Sequence, residues 1–179
     1  MKKDLHEYYP EHVFRFCPRC GAQALGYDPD RSFRCTECGF HFYLNTASAV
    51  AAVIEDGEGR VLFTRRARDP MRGMLDLPGG FVDALETAED ALRREVLEEL
   101  NLDIQISGFL SSFPNRYLFD GLVYFTLDLA FLGSVRDLTS LQLSDEISEV
   151  ILLHPRDIRI EDIGLESIRN IVSHYLTKR

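Results

Sequence analysis

The sequence contains no tryptophan and only three methionines, so any large aromatic surface must come from its twelve phenylalanines and seven tyrosines. No cysteine follows Cys38, which excludes a cysteine nucleophile from everything beyond that point. Long apolar runs are missing: none reaches the roughly 18 residues that a transmembrane helix requires. The opening "MKKDLHEYYPEHVF" is charged and aromatic and lacks the apolar centre of a secretory signal. Basic residues are in deficit, 20 Lys and Arg against 29 Asp and Glu, for a formal charge of −9. Broad nucleic-acid binding, which needs a basic stripe, is therefore not expected. An anionic substrate would have to be met by a bound cation or a local basic cluster. Together these absences predict a cytoplasmic protein with no membrane segment. Its 179 residues leave room for one medium domain and something small.

What cysteine there is lies in one place. "CPRC" (Cys17, Cys20) and "CTEC" (Cys35, Cys38) are two CxxC pairs with fourteen residues between them. Each is followed by a glycine, which permits the tight turn that brings two thiolates onto one ion. Two disulfides are disfavoured in a reducing compartment. A thioredoxin-like pair would open a helix beside a βαβ unit, without a second pair in tandem. The spacing predicts a structural, tetrahedral Zn²⁺ on Cys17, Cys20, Cys35 and Cys38, within a zinc ribbon over residues 12–44. With no open coordination position, that ion would fold the segment rather than do chemistry.

From residue 46 to 179 the pattern is that of a second domain. "ASAVAAVIED" and "RVLFTRRA" are β-rich and separated by "EDGEGR", a hairpin signal. "ARDPMRGMLDLPGG" reads as loop. Thr87 is placed to cap a helix whose first turn carries Glu89 and Asp90, and Leu92, Val96, Leu97 and Leu100 form its apolar stripe. Two strands follow in "LDIQISGFLSSF" and "GLVYFTLDLAFLG", then a loop "LSDEISEV", a strand "EVILLHP" and an amphipathic helix "GLESIRNIVSHYLTKR". Strands interleaved with two helices predict an α/β fold, a mixed sheet covered on both faces.

The helix carries a puzzle. "RREVLEEL" (93–100) packs Glu95, Glu98 and Glu99 into an arc of about 100°, although like charges at i,i+4 repel by a few tenths of a kcal/mol. A solvated face, a protein-contact surface and a divalent-metal site would each account for it. On a hard cation the carboxylates' repulsion is offset.

The surrounding stretch, "PGGFVDALETAEDALRREVLEELNL" (78–102), narrows the choice. Gly80 is followed after five residues by Glu86, after seven more by Arg94, then by Glu95, Val96, Glu98, Glu99 and Leu102. This resembles the Nudix hydrolase signature, G-x5-E-x7-R-E-U-x-E-E-x-G-U with U a bulky aliphatic. One fixed position departs: Asn101 stands where the family has its last glycine, and Asn is the best non-glycine residue for a left-handed helix end. The resemblance implies a Nudix-type α/β/α sandwich and hydrolysis of a nucleoside diphosphate linked to another moiety. It implies Mg²⁺ (or Mn²⁺) held by Glu95, Glu98, Glu99 and the Gly80 carbonyl, with Glu95 also a candidate base. Glu86 and Arg94 would orient these groups. A further acid could come from Asp145, Glu146 or Glu149, and some of Arg65, Arg66, Arg68 and Arg72 could face phosphates. A homodimer is the default assembly among such proteins.

A zinc ribbon before such a domain looks like the NADH pyrophosphatase subgroup, which cuts NAD(H) to a mononucleotide and AMP. That subgroup carries an S-Q-P-W-P-F-P-type motif, and here "SSFPNRYLFDG" (111–121) keeps only Ser112, Phe113 and Pro114. The motif is not met. NADH, ADP-ribose and related dinucleotides stand as candidate substrates, with Phe113, Asn115, Arg116 and Tyr117 as candidate base contacts. The competing reading is a non-catalytic Nudix sensor or adaptor whose ribbon supplies a partner surface. An isopentenyl diphosphate isomerase on the same fold would need a cysteine after Cys38.

Overall fold

A computed structural model describes residues 5–179. Two units are recognised: residues up to Thr46 together with Arg116–Phe125, and Ala47–Asn115 together with Thr126–Arg179.

In the first unit a short 3₁₀ turn, His6–Tyr8, leads into α1 (Pro10–Val13), whose first position is the proline that a helix start accepts. A three-stranded antiparallel sheet follows, β1 (Leu25–Asp28), β2 (Ser32–Cys35) and β3 (His41–Tyr43). Phe33 pairs with Tyr27 on one side and Phe42 on the other. Its buried ring lies 5.5 Å from Phe14 and 4.9 Å from Tyr27, centroid to centroid, so aromatic packing replaces the aliphatic core this segment lacks.

The second unit begins with β4 (Ala47–Glu55) and β5 (Val61–Arg66), joined by a hairpin in which Asp56 N–H donates to the Arg60 carbonyl at 2.9 Å. Then come β6 (Leu75–Asp76), α2 (Ala88–Leu100), β7 (Ile104–Phe119) and β8 (Leu122–Val135), whose residues from Arg116 to Phe125 belong to the first unit, and β9 (Ile147–Leu153) and α3 (Glu166–Lys178). The sheet order is β6-β5-β4-β8-β7, with β9 also paired to β5. β4 and β8 are parallel, with Val50 opposite Leu129, and the β4–β5 and β5–β9 pairs are antiparallel.

The uninterrupted apolar run of β4 follows from its central place. Val50, Ala52 and Ile54 point to one face, where they meet Ala91, Leu92, Val96 and Leu100 of α2. Ala51 and Val53 point to the other, against Ile168, Ile171, Val172 and Tyr175 of α3. This is the α/β/α sandwich expected. One polar cluster interrupts the core: Asp128 on β8, buried, accepts from Thr126 Oγ1 at 2.5 Å and from Ser167 Oγ.

Three local expectations change. The stretch read as loop contains β6, because Leu75 and Asp76 pair with Arg65 and Thr64. β9 starts at Ile147, two residues before the strand expected from "EVILLHP", with Glu149 opposite Arg65. β7 runs straight through Pro114 to Phe119. β7 is an edge strand of the sheet, the place where a proline is tolerated.

Candidate functional sites

The two CxxC turns are built alike. Cys17 N–H donates to the Ala22 carbonyl and Cys35 N–H to the Phe40 carbonyl, both at 2.9 Å. Gly21 N–H returns to the Cys17 carbonyl at 2.9 Å and Gly39 N–H to that of Cys35 at 3.0 Å. Both glycines are left-handed, at φ 74° and 71°. The turns face one another, with Cys17 Sγ 3.7 Å from Cys38 Sγ and Cys20 Sγ 3.7 Å from Cys35 Sγ. A disulfide would bring sulfurs to about 2.05 Å. Four thiolates about 2.3 Å from a tetrahedral zinc would stand about 3.8 Å apart, so the spacing fits one ion. Burial opposes ionisation of Cys17, but hydrogen bonds from the backbone N–H groups of Cys20 and Arg19 and with the Cys20 and Cys38 thiols together bring the thiol down to about 7.

In the second unit the loop before α2 is clamped to β4. Ala52 N–H donates to the Pro78 carbonyl and Val50 N–H to the Gly80 carbonyl, both at 2.8 Å, and Val82 N–H to Ser48 at 3.0 Å. The clamp requires glycine twice, for different reasons. At Gly79 (φ 147°) a Cβ would lie 2.0 Å from the Val50 carbonyl oxygen. At Gly80 it would lie 2.5 Å from the Glu95 carboxylate. The Gly80 carbonyl, engaged by Val50, keeps one lone pair for a cation.

α2 opens as predicted, with Asp90 N–H donating to Thr87 Oγ1 at 3.2 Å. It ends at Asn101, left-handed at φ 55° and ψ 38°, whose N–H closes on Leu97 and whose Nδ2 donates to the Ser140 carbonyl at 2.8 Å. Between these ends Arg94 organises the acids. Its Nε and Nη2 fork onto the two oxygens of Glu86, each at 3.0 Å. Its Nη1 reaches Glu95 at 2.8 Å and Glu98 at 3.4 Å, and Nη2 also donates to the Phe81 carbonyl at 3.0 Å. The fork holds the Glu86 carboxyl below its ordinary range.

Glu99 turns away from this network and accepts from Gly79 N–H at 3.0 Å. Burial pushes its carboxyl up to about 8; the Gly79 bond opposes this, and the charges of Asp76, Glu95 and Glu146 add to it. Glu95 is raised for the same first reason, burial, against the pull of Arg94. Glu98 stays exposed, its side chain 61% accessible. Among the described residues, the three helix acids do not all converge within 4.8 Å as the cysteines do. They stand as a half-buried pair, Glu95 and Glu99, and an exposed partner, Glu98.

Of the acids outside the helix, Glu146 is close enough to raise both Glu95 and Glu99, whereas Glu149 is paired with Arg65 at 2.8 Å. Arg68 binds Asp145 and, at 3.3 Å, Glu146. Asp76, which no sequence signal marked, is buried, paired with Arg66 at 2.7 Å, and acts on Glu99 through its charge. The arginines 65, 66 and 68 thus meet acids of their own chain. Phe113, Asn115 and Tyr117 alternate with Arg116 along β7, so the four do not share one face.

The profile of the NUDIX domain family matches residues 45–174. An ADP-ribose pyrophosphatase of Methanocaldococcus jannaschii is 38% identical over 79 residues, which is 43% of this chain and 46% of that protein. A NAD-capped RNA hydrolase, NudC, of Pseudomonas aeruginosa is 31% identical over 98 residues, 55% of this chain and 34% of that protein. The matched stretches thus span less than half the length of either relative. A crystal structure of a NUDIX hydrolase from Nitrosomonas europaea superposes with a TM-score of 0.74 at 26% identity, over 93% of this chain and 92% of that one. No helix among the described residues is long and apolar enough to cross a membrane.

Proposed function

Because the chain belongs to the NUDIX domain family, we propose that it is a Mg²⁺-dependent pyrophosphohydrolase cleaving the diphosphate linkage of a nucleoside diphosphate derivative. The observation that carries this reading is a pair of half-buried carboxylates, Glu95 and Glu99, both held above the ordinary carboxylate range and set against Gly80 and Gly79. Such a place gains from a positive charge. Its donors are all oxygens, the set a hard cation prefers, so Mg²⁺ (or Mn²⁺) fits on Glu95, Glu98, Glu99 and the Gly80 carbonyl. When bound, the ion neutralises diphosphate charge and lowers the pKa of a water.

The chain's own groups supply the rest. Arg94, anchored on Glu86, fixes the Glu95 carboxylate, and Gly80 leaves its oxygens uncovered. Glu95 accepts the proton of the attacking water. Glu146 is the outer acid of choice, since its charge acts on both Glu95 and Glu99.

ADP-ribose and dinucleotides of the NADH kind are the proposed substrate class, in keeping with the names of the two relatives. A domain boundary between residues 44 and 46 and a structural Zn²⁺ on the four cysteines complete the reading. A cytoplasmic location would keep those thiols reduced.

The test is a hydrolysis screen with Mg²⁺ over NADH, NAD⁺, ADP-ribose, diadenosine polyphosphates and nucleotide sugars, beside Glu95→Gln. Cleavage of one class, reduced about 10²–10⁴-fold in the variant with its melting temperature kept, is expected. Nucleotide binding without any cleavage would replace the enzyme reading by the sensor one.

A further inference from the structure

The first unit gathers a second set of ligating side chains that the ribbon does not use. His6, Glu11 and His12 each offer a donor atom, and the three donors lie within 4.8 Å of one another. Apart from the cysteines, no other set of three among the described residues does so. The two imidazole rings are 4.5 Å apart, centroid to centroid, and tilted by 50°.

Local structure explains why they meet. Tyr9 N–H donates to the His6 carbonyl at 3.1 Å and His12 N–H to the Tyr9 carbonyl at 2.8 Å, so two successive turns fold the chain back on itself. Pro10, buried, fixes the start of the second turn. The turn is braced within its own unit: the Tyr9 ring packs edge-on against Phe125 at 5.1 Å, and Arg116 Nη1 reaches the Tyr9 hydroxyl at 3.4 Å. His6 and His12 line an open recess of about 600 Å³ together with Glu7 and Arg15.

Donor chemistry separates this place from both sites already described. Two imidazoles and a carboxylate suit a borderline transition ion, neither the all-sulfur set of the ribbon nor the all-oxygen set of α2. Glu11 brings a negative charge to the donor set itself, and along the recess Glu7 offsets the charge of Arg15. Three protein donors also leave at least one coordination position open, unlike four cysteines.

We infer that His6, Glu11 and His12 form a second, open Zn²⁺ site on the N-terminal turn. Closing the donors onto an ion needs only a shortening of their mutual distances toward the roughly 3.3 Å set by Zn–N bonds of about 2.0 Å.

The experiment uses the full chain and Zn²⁺ itself, buffered by a chelator in excess Mg²⁺ so that the α2 carboxylates are occupied. Wild type is compared with the double variant His6→Ala/His12→Ala, and with Glu11→Gln as a milder change. Wild type should hold one Zn²⁺ per chain more than the double variant, and Glu11→Gln should weaken that ion at least tenfold. Equal zinc contents in wild type and double variant would overturn the site. Co²⁺ substitution gives an independent reading: the wild-type minus variant spectrum should lack sulfur-to-cobalt charge transfer. A charge-transfer band in that difference would mean that the histidines act through the cysteines, and would also overturn it.

Discussion

The cysteine cluster and the acids of α2 both gather metal-ligating side chains, and they do it in opposite ways. Around the cysteines, backbone hydrogen bonds repeated in two turns set four sulfurs at the spacing an ion requires. Around α2, side chains do the holding: Arg94 takes Glu86, Glu95 and Glu98, while Glu99 is left to a backbone N–H. The first arrangement is convergent and closed. The second keeps its acids apart and partly open. Backbone geometry fixes a site, whereas side-chain geometry leaves it adjustable.

The sharpest way to break this contrast lies in the adjacent glycines. Gly79→Ala drives a Cβ into the Val50 carbonyl, a backbone atom that cannot move without β4, and should cost about 3 kcal/mol or more, the upper end for overpacking. Gly80→Ala meets only the end of the Glu95 side chain, which can swing away. It should keep most of its stability in urea titration and lose most of its hydrolysis. Equal losses of stability in the two variants would show that the carboxylate is as rigid as the backbone.

Next in size is Cys35→Ser. It should release Zn²⁺ and loosen β1–β3, seen as faster amide exchange there, while hydrolysis is partly retained. A complete loss of hydrolysis in a variant whose second unit stays folded would tie the two sites together.

A subtler probe is pH. The Glu99 carboxyl is raised in the fold to about 8 from an ordinary value of 4.5. Its protonated form is favoured, so its contribution to stability is complete below about 4.5 and disappears as pH rises through 8. In metal-free protein Glu99→Gln should therefore be more stable than wild type at pH 9, with the difference fading toward pH 4. Mg²⁺ should reduce that difference by favouring the ionised wild-type group. A difference independent of pH would remove Glu99 from the account.

The smallest effect concerns Asn101→Gly. Glycine relieves the left-handed backbone but forfeits the Nδ2 bond to Ser140, so the change should fall within about 1 kcal/mol of neutral.

Much of this was legible in the sequence because it is local. The cap at Thr87, the left-handed end at Asn101, the apolar run of β4 and the two CxxC turns all depend on neighbours a few positions away. What escaped depends on pairing across the chain. β6 exists because Asp76 finds Thr64, and Glu149 pairs with Arg65, 84 positions distant. Asp76 looked like one more loop acid until the fold buried it beside Arg66. The strand through Pro114 needed the knowledge that β7 is an edge.

The parallel pairing of β4 with β8 carries a consequence for how the protein acquires its function in time. Val50 waits for Leu129, and every rung of that ladder spans the same long interval of chain. Such closures are slow, because loop entropy must be lost before contacts reward it. The glycine loop and α2 both rest on β4, whereas the β1–β3 meander needs only near neighbours. During refolding the cysteine turns can therefore mature early, and the acids of α2 reach their working positions only when the sheet has closed behind them.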